Sequence, residues 1–139
     1  MKEQSFRLPT NRYLAIKAAM MPRDTNPHGT IFGGVILSYL DQAGAVGARH
    51  EMRRAGWPDH RIVTVAMKSV EFHKPVFVGD IVSFWTRVIR LGNTSITMRV
   101  TVETERDGRV HKLTQAEVTY VAVKLINGMP QPVSIRPCA

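Results

Sequence analysis

The stretch "DTNPHGTIFGGVILSYLDQAGAVGA", residues 24–48, decides the fold of this chain. It begins as a polar turn, passes through the Gly33-Gly34 pair, and continues as an apolar run that contains one carboxylate, Asp41. Burying an ionised carboxylate without a partner is very costly. Asp41 is therefore expected to lie at the surface, to be paired, or to take part in chemistry.

Apolar and small residues recur in this stretch at spacings of three and four, which predicts a helix over residues 32–54. The expected buried face comprises Ile36, Leu37, Leu40, Ala43, Gly44, Gly47 and Ala48. Glycine costs ~1 kcal/mol in a helix interior relative to alanine. Gly44 and Gly47 therefore indicate that another backbone, that of a sheet, approaches the helix closely. Gly56 and Pro58 are expected to end the helix.

The rest of the chain has the pattern of strands. Strands are expected at residues 13–21, 61–72, 81–91, 94–105 and 112–126. The fourth alternates strictly between apolar and polar residues, which is typical of an antiparallel strand with one solvated face. The second changes the parity of its apolar positions, which indicates a bulge or burial on both faces. Asp107-Gly108 is a hairpin signature.

These elements predict one α+β domain over residues 1–139, with a long central helix on a curved antiparallel sheet of about five strands. The core is expected at about residues 13–127, followed by a Pro-rich tail at 128–139. The chain has 139 residues, 44% of them hydrophobic and 22% charged, as in an ordinary globular domain.

The composition also indicates in which cellular compartment the protein works and what kind of partner it binds. The single cysteine, Cys138, excludes an internal disulfide and suits a reducing compartment. No apolar run resembles a signal peptide or reaches the ~18 residues of a membrane span, so we expect a soluble, cytoplasmic protein. The net charge of +8 attracts polyanions. Its basic residues are spread out rather than clustered, which favours a phosphate-bearing small molecule over nucleic acid.

The sequence lacks the motifs of several common classes of binding and catalytic site. The glycines of "GTIFGG" have neither dinucleotide-binding nor phosphate-loop spacing. Ser38 does not lie in a nucleophile elbow. The five histidines show no zinc-type spacing, so no metal is expected.

Asn26, Gly33, Gly34 and Asp41 remain as the candidate catalytic set. The N–H groups of Gly33 and Gly34 open the helix at its positive end and could form an oxyanion hole. Asp41, seven residues after Gly34, could activate a water or attack a carbonyl. Each also has a simpler interpretation. The glycines could be only a tight entry into the helix, Asp41 an exposed or salt-bridged helix residue, and Asn26 a turn residue.

The segment "NPHGTIFGGVILSYLDQAGAVGA" resembles the hot-dog-fold acyl-CoA thioesterases of the bacterial YciA and eukaryotic brain acyl-CoA hydrolase type. The shared pattern is Asn26, Gly29, Phe32, Gly33, Gly34, Asp41, Gly44 and Ala48. The resemblance covers about residues 13–133 and continues through "VTVAMKSVEFHKPVFVGD" and "LGNTSITMRVTVE".

The resemblance implies a hot-dog fold, hydrolysis of acyl-CoA to a carboxylic acid and CoA, and no cofactor. It implies homodimers whose sheets join edge to edge, possibly assembled as a trimer of dimers (a hexamer), with active sites at the dimer interface. Asp41 would be the general base or nucleophile, and Asn26 would come from the facing subunit. The N–H groups around Gly33 and Gly34 would receive the thioester oxygen.

The resemblance also implies a CoA channel lined by two segments. Its residues would be Ser69, Val70, Phe72, Lys74, Gly92, Asn93, Thr94 and Ser95. Lys74, Arg90 and Arg99 are candidate partners for the CoA phosphates, although the simpler and favoured interpretation of each is a solvated strand or loop charge. Family members often carry an aliphatic residue where His73 stands, and its role is open.

Two rival functions would make different demands on these residues. A non-catalytic, regulatory acyl-CoA-binding domain would have no use for a carboxylate beside a thioester, so the Asn26 and Asp41 pair argues against it. A hot-dog dehydratase acting on acyl carrier protein would need a catalytic histidine with an acidic residue on the helix. His28 precedes the helix but does not have that placement.

Overall fold

The computed structural model describes Leu8 and residues 11–137. Its elements are β1 (Tyr13–Ala19), a short 3₁₀ turn (Pro22–Asp24), α1 (Gly33–Arg54), β2 (Arg61–Phe72), β3 (Ile81–Leu91), β4 (Ser95–Arg106), β5 (Arg109–Ile126) and β6 (Met129–Pro132). Cys138 lies outside the described residues. In the described part, no helix has the length and apolar character needed to cross a membrane.

The strands form one antiparallel sheet in the order β1-β3-β4-β5-β2, and β6 pairs with the end of β5. A single long helix packs on this sheet, so the predicted α+β architecture is confirmed. In the part of the chain that the structure describes, the sheet has six strands, the predicted five and the short β6. The hairpin predicted at Asp107-Gly108 joins β4 to β5, and both turn residues have positive φ, as a type I′ turn requires.

One face of α1 supplies the helical half of the core. Its buried residues are Ile36, Leu40, Ala43, Gly44, Gly47, Ala48, Glu51 and Met52. The predicted face is thus confirmed except at Leu37, which is half-buried. Glu51 is buried as well, and two of the guanidinium nitrogens of Arg54 lie 2.9 and 3.0 Å from one of its carboxylate oxygens.

The reason for the helical glycines differs from the expectation. Side chains, not a backbone, approach Gly44 and Gly47. A Cβ on Gly44 would overlap the hydroxyl of Tyr120, and a Cβ on Gly47 would overlap the side chain of Thr86. The sheet does press closely on the helix, but it does so through these two side chains.

Strand β2 forms a free edge of the sheet, because its hydrogen-bonded neighbour is β5 alone. Most of β2 is exposed, including Val65 at 55% and Phe72 at 54%. The predicted irregularity is confirmed by two register shifts against β5, and Ser69 adopts a φ of 55° at the second. An exposed apolar edge of this length is a template for pairing with another strand.

The expected boundary between core and tail is wrong. Asn127 and Gly128, both with positive φ, form a tight turn that returns the chain as β6. Ile135 is fully buried, and its N–H donates to the carbonyl of Asn93 (2.9 Å). The core therefore extends at least to Ile135, and residues 128–137 are not an appended tail.

Candidate functional site

Asn26 is held by the loop that leads into α1. Its Oδ1 accepts the N–H groups of His28 (2.9 Å) and Thr30 (3.2 Å), and its Nδ2 donates to the Thr30 hydroxyl (2.7 Å). A side-chain amide carries two N–H donors, and Thr30 takes one of them. The loop thus fixes the amide as a donor with one N–H still available.

The helix begins at Gly33 with open N–H groups. The N–H groups of Val35 and Ile36 both point to the carbonyl of Phe32 (3.0 and 3.4 Å). The N–H groups of Gly33 and Gly34 have no acceptor among the residues that the structure describes. They lie at the positive end of the helix dipole, as an oxyanion-binding position requires.

Neither glycine is explained by contacts inside the chain. A Cβ on Gly33 would only touch the Phe72 ring at 3.5 Å, and a Cβ on Gly34 would meet no described atom within 4 Å. Neither has a positive φ. The surface beside Gly34 is therefore open within the described chain, with room for a ligand or a second subunit.

Asp41 is half-buried on α1 and is held from two strands. The hydroxyl of Thr64 on β2 donates to its Oδ1 (2.8 Å). The hydroxyl of Tyr120 on β5 donates to its main-chain carbonyl (2.6 Å) and lies 3.4 Å from Oδ1. Oδ2 has no donor within the described residues. The carboxylate is thus oriented through one oxygen while the other is available.

Tyr120 remains a neutral donor at this site. Burial raises the pKa of its hydroxyl well above the ordinary value, and the adjacent Asp41 carboxylate raises it further. Tyr120 and Thr64 are directly opposite each other in the β2–β5 pairing. Sequence reasoning missed both residues, because 23 and 79 positions separate them from Asp41. Gly44 was the one local signal of a close approach.

A cavity of about 270 Å³ lies beside Gly33. Its lining residues are Thr30, Ile31, Gly33, Ile36, Phe72, His73, Lys74, Pro75 and Val76. Lys74 Nζ lies 2.8 Å from Nδ1 of His111, and His73 Nε2 lies 3.1 Å from the carboxylate of Glu71. The structure thus places Phe72 and Lys74, two of the expected CoA-channel residues, next to the open N–H groups.

Other expected channel residues lie elsewhere in the chain. Ser69 and Val70 are exposed at the β2 irregularity. The turn formed by residues 92–95 lies at the opposite end of the sheet from Phe72. Phe72 pairs with Thr114 and Ser95 pairs with Val121, a separation of roughly 23 Å along β5 at 3.3 Å per residue.

Asn26 and Asp41 share no described hydrogen-bond partner within one chain. Every described side-chain partner of Asn26 belongs to its own loop, whereas Asp41 contacts β2 and β5. The seven residues from Gly34 to Asp41 extend the helix by ~10 Å, so Asp41 lies about two turns beyond the open N–H groups.

The candidate phosphate partners differ in their surroundings. Lys74 lines the cavity, whereas Arg99 reaches Glu117 (3.3 Å), and Arg90 is exposed near the end of β3. Among the described residues, no group of three or more His, Cys, Asp and Glu side chains is arranged to hold a metal ion.

Comparison with known proteins places this geometry in a family. Residues 28–111 match the thioesterase superfamily. YciA, an acyl-CoA thioester hydrolase of Salmonella typhimurium, is 36% identical over 128 residues, which cover 88% of this chain and 91% of that protein.

Two solved structures are similar. The hexameric hotdog fold thioesterase of Campylobacter jejuni is 42% identical, with a TM-score of 0.73 over 87% of this chain and 90% of that one. The acyl-CoA hydrolase of Staphylococcus aureus, solved with butyryl coenzyme A and coenzyme A, is 28% identical, with a TM-score of 0.72 over 88% and 71%. The resemblance seen in the sequence is therefore confirmed, and the chain belongs to the thioesterase superfamily as a hot-dog-fold hydrolase.

Proposed function

We propose that this hydrolase cleaves acyl-CoA thioesters to a carboxylic acid and CoA. The observation that carries the proposal is the environment of the Asp41 carboxylate. It is half-buried, Thr64 donates to one of its oxygens, and the other oxygen is available. A carboxylate held in this way can act as general base or nucleophile. The names of the relatives, acyl-CoA thioester hydrolase and acyl-CoA hydrolase, support the choice of substrate.

The active site is proposed to form between two chains. Asn26 and the N–H groups of Gly33 and Gly34 come from one subunit, and Asp41 comes from the other. Asn26 and Asp41 share no described hydrogen-bond partner within one chain, which supports this arrangement. So does the open space beside Gly34, where an added Cβ would meet no described atom within 4 Å.

The dimer is proposed to form through β2. Its free edge and exposed Val65 offer backbone and apolar surface to the same edge of a second chain, as a two-fold interface requires. The two sheets would then join edge to edge. A trimer of such dimers is the proposed larger assembly, supported by the hexameric state of the Campylobacter relative.

The reaction needs water as its second substrate. The thioester oxygen accepts the open N–H groups at Gly33 and Gly34, which stabilise the negative charge that develops on it. As a general base, Asp41 takes a proton from water while the hydroxide adds to the carbonyl carbon. Collapse of the tetrahedral intermediate expels the CoA thiolate, which is then protonated. As a nucleophile, Asp41 would instead form an acyl anhydride that water cleaves, and the same geometry allows this route.

CoA is proposed to bind across the cavity beside Gly33. Phe72 and Lys74 line this cavity, and Lys74 could reach a CoA phosphate. Because residues 92–95 lie at the other end of the sheet, they would reach the channel from another subunit. The net charge of +8 supports an anionic substrate.

The reaction is proposed to need no metal or prosthetic group, since water, the carboxylate and the N–H groups account for each bond made and broken. A cytoplasmic location is proposed as well. Its support is the presence of only one cysteine in the chain.

A free-thiol assay over a panel of acyl-CoA esters tests the function. We expect release of CoA at a rate that depends on enzyme concentration and rises with substrate until saturation. Tight binding of acyl-CoA without thiol release would instead identify a non-catalytic binding domain. Dehydration of a 3-hydroxyacyl substrate without thiol release would identify a dehydratase.

A further inference from the structure

The hydroxyl of Tyr120 contacts Asp41 on α1. It donates to the main-chain carbonyl of Asp41 (2.6 Å) and lies 3.4 Å from Oδ1 of the same residue. The sheet is therefore joined through Tyr120 to the helical turn that carries Asp41.

Gly44 makes this contact possible. A Cβ at position 44 would overlap the Tyr120 hydroxyl and would lie 3.1 Å from the ring carbon that bears it. Any other residue would push the ring away from the helix and withdraw the hydroxyl from Asp41. Access for Tyr120 thus accounts for a glycine in the middle of α1, where it costs ~1 kcal/mol relative to alanine.

Asp41 is also held by a hydroxyl from β2, the strand next to that of Tyr120. Thr64, directly opposite Tyr120, donates to Oδ1 of Asp41 (2.8 Å). Tyr120 is 1% exposed and has no freedom to leave its place without opening the core. The main chain and the side chain of Asp41 are thus held by two hydroxyls on neighbouring strands of the sheet.

From this arrangement we infer that Tyr120 is a positioning residue for the thioester hydrolysis, acting through Asp41, and that Gly44 is its required partner. The inference rests on the proposed role of Asp41. Tyr120 itself does not touch the substrate. It sets the height and rotation of the helical turn from which the carboxylate faces the reacting carbon.

The variant Tyr120→Phe tests this, because it removes the hydroxyl and keeps the ring. If the carboxylate is displaced, kcat should fall about 10-fold or more while KM for the acyl-CoA ester stays near the wild-type value, since small misplacements of a catalytic group are costly. Unchanged kcat in a folded Tyr120→Phe enzyme would overturn the inference. An inactive wild-type enzyme would instead refute the proposed function, so the two failures are distinguishable.

Thr86→Val is the matched control. Thr86 is 2% exposed, packs against Gly47 as Tyr120 packs against Gly44, and donates to the carbonyl of Tyr13 (3.2 Å). Its loss also removes one buried hydroxyl at the helix–sheet contact, but not one on Asp41. We expect a lower melting temperature with unchanged kcat. An equal fall in kcat in Thr86→Val would mean that any loosened contact lowers activity, and would overturn the assignment to Tyr120.

A double-mutant cycle shows whether Tyr120 acts through Asp41. In the Asp41→Asn background, Tyr120→Phe should leave the residual rate unchanged, because there is no carboxylate left to position. A further fall of the same size as in the wild-type background would place the action of Tyr120 elsewhere and overturn the inference.

Discussion

Thr64 and Tyr120 face each other across β2 and β5, and the hydroxyls of both contact Asp41. The contact joins the free edge of the sheet to its central helix. The orientation of the Asp41 carboxylate therefore depends in part on β2, the strand that is proposed to form the dimer interface. If β2 forms the dimer interface as proposed, Thr64 links that interface to the Asp41 carboxylate.

Asp41→Asn should abolish turnover without unfolding the protein. The amide is nearly isosteric but is neither a base nor a nucleophile, so we expect kcat to fall at least ~10²-fold, the scale of general-base catalysis. Thiol release, together with circular dichroism to confirm folding, checks this. Near-normal hydrolysis by the folded variant would remove Asp41 from the mechanism.

Thr64→Val should lower kcat because Oδ1 of Asp41 loses its donor. Hydrogen bonds to charged groups contribute about 1.5–3 kcal/mol, so a loss of roughly 10-fold is expected if half or more of that acts in the transition state. Thr64→Ser keeps the hydroxyl and is the control, with activity close to the wild type. Equal activity of the valine and serine variants would show that the hydroxyl is not needed.

Gly34→Ala should separate stability from activity. Its Cβ meets no described atom in the chain, so the melting temperature should not fall, while thiol release should drop because the methyl group intrudes on the bound thioester. Gly44→Ala is the comparison and should lose stability through its overlap with Tyr120. A fully active Gly34→Ala enzyme would show that the thioester does not bind close to Gly34.

Lys74→Met should weaken recognition of the CoA phosphates specifically. We expect a several-fold higher KM for an acyl-CoA ester, and an unchanged KM for the acyl-pantetheine ester, which lacks those phosphates. Lys17→Met, on the strand at the other edge of the sheet, should change neither. If Lys74→Met changes KM equally for both esters, its role is not phosphate binding.

The sequence predicted the elements whose signals are local. Apolar spacing located α1 to within one residue, and the strict alternation of β4 and the Asp107-Gly108 turn identified an antiparallel hairpin. The Asn127-Gly128 turn carries an equally local signal, but Pro130 and Pro132 after it are unfavourable in a strand. β6 tolerates proline because it is a short strand at the edge of the sheet.

The candidate site was predictable only where its residues are close in sequence. Asn26, Gly33 and Gly34 all belong to one turn and helix entry. Thr64 and Tyr120 reach Asp41 only after the sheet has formed, and their types, a threonine and a tyrosine in strands, are ordinary for such elements. No local pattern distinguishes them from packing residues.

The most direct test of the two-chain site is complementation between two inactive variants. Asn26→Ala and Asp41→Asn are each expected to be inactive or nearly so. When the two are refolded together, one site of each mixed dimer has both residues intact and the other has neither. With half of the dimers mixed, about a quarter of all sites should work, a fraction set by two-fold symmetry. If the mixture stays as inactive as its components after confirmed subunit exchange, Asn26 and Asp41 do not meet across subunits, and the shared site is contradicted.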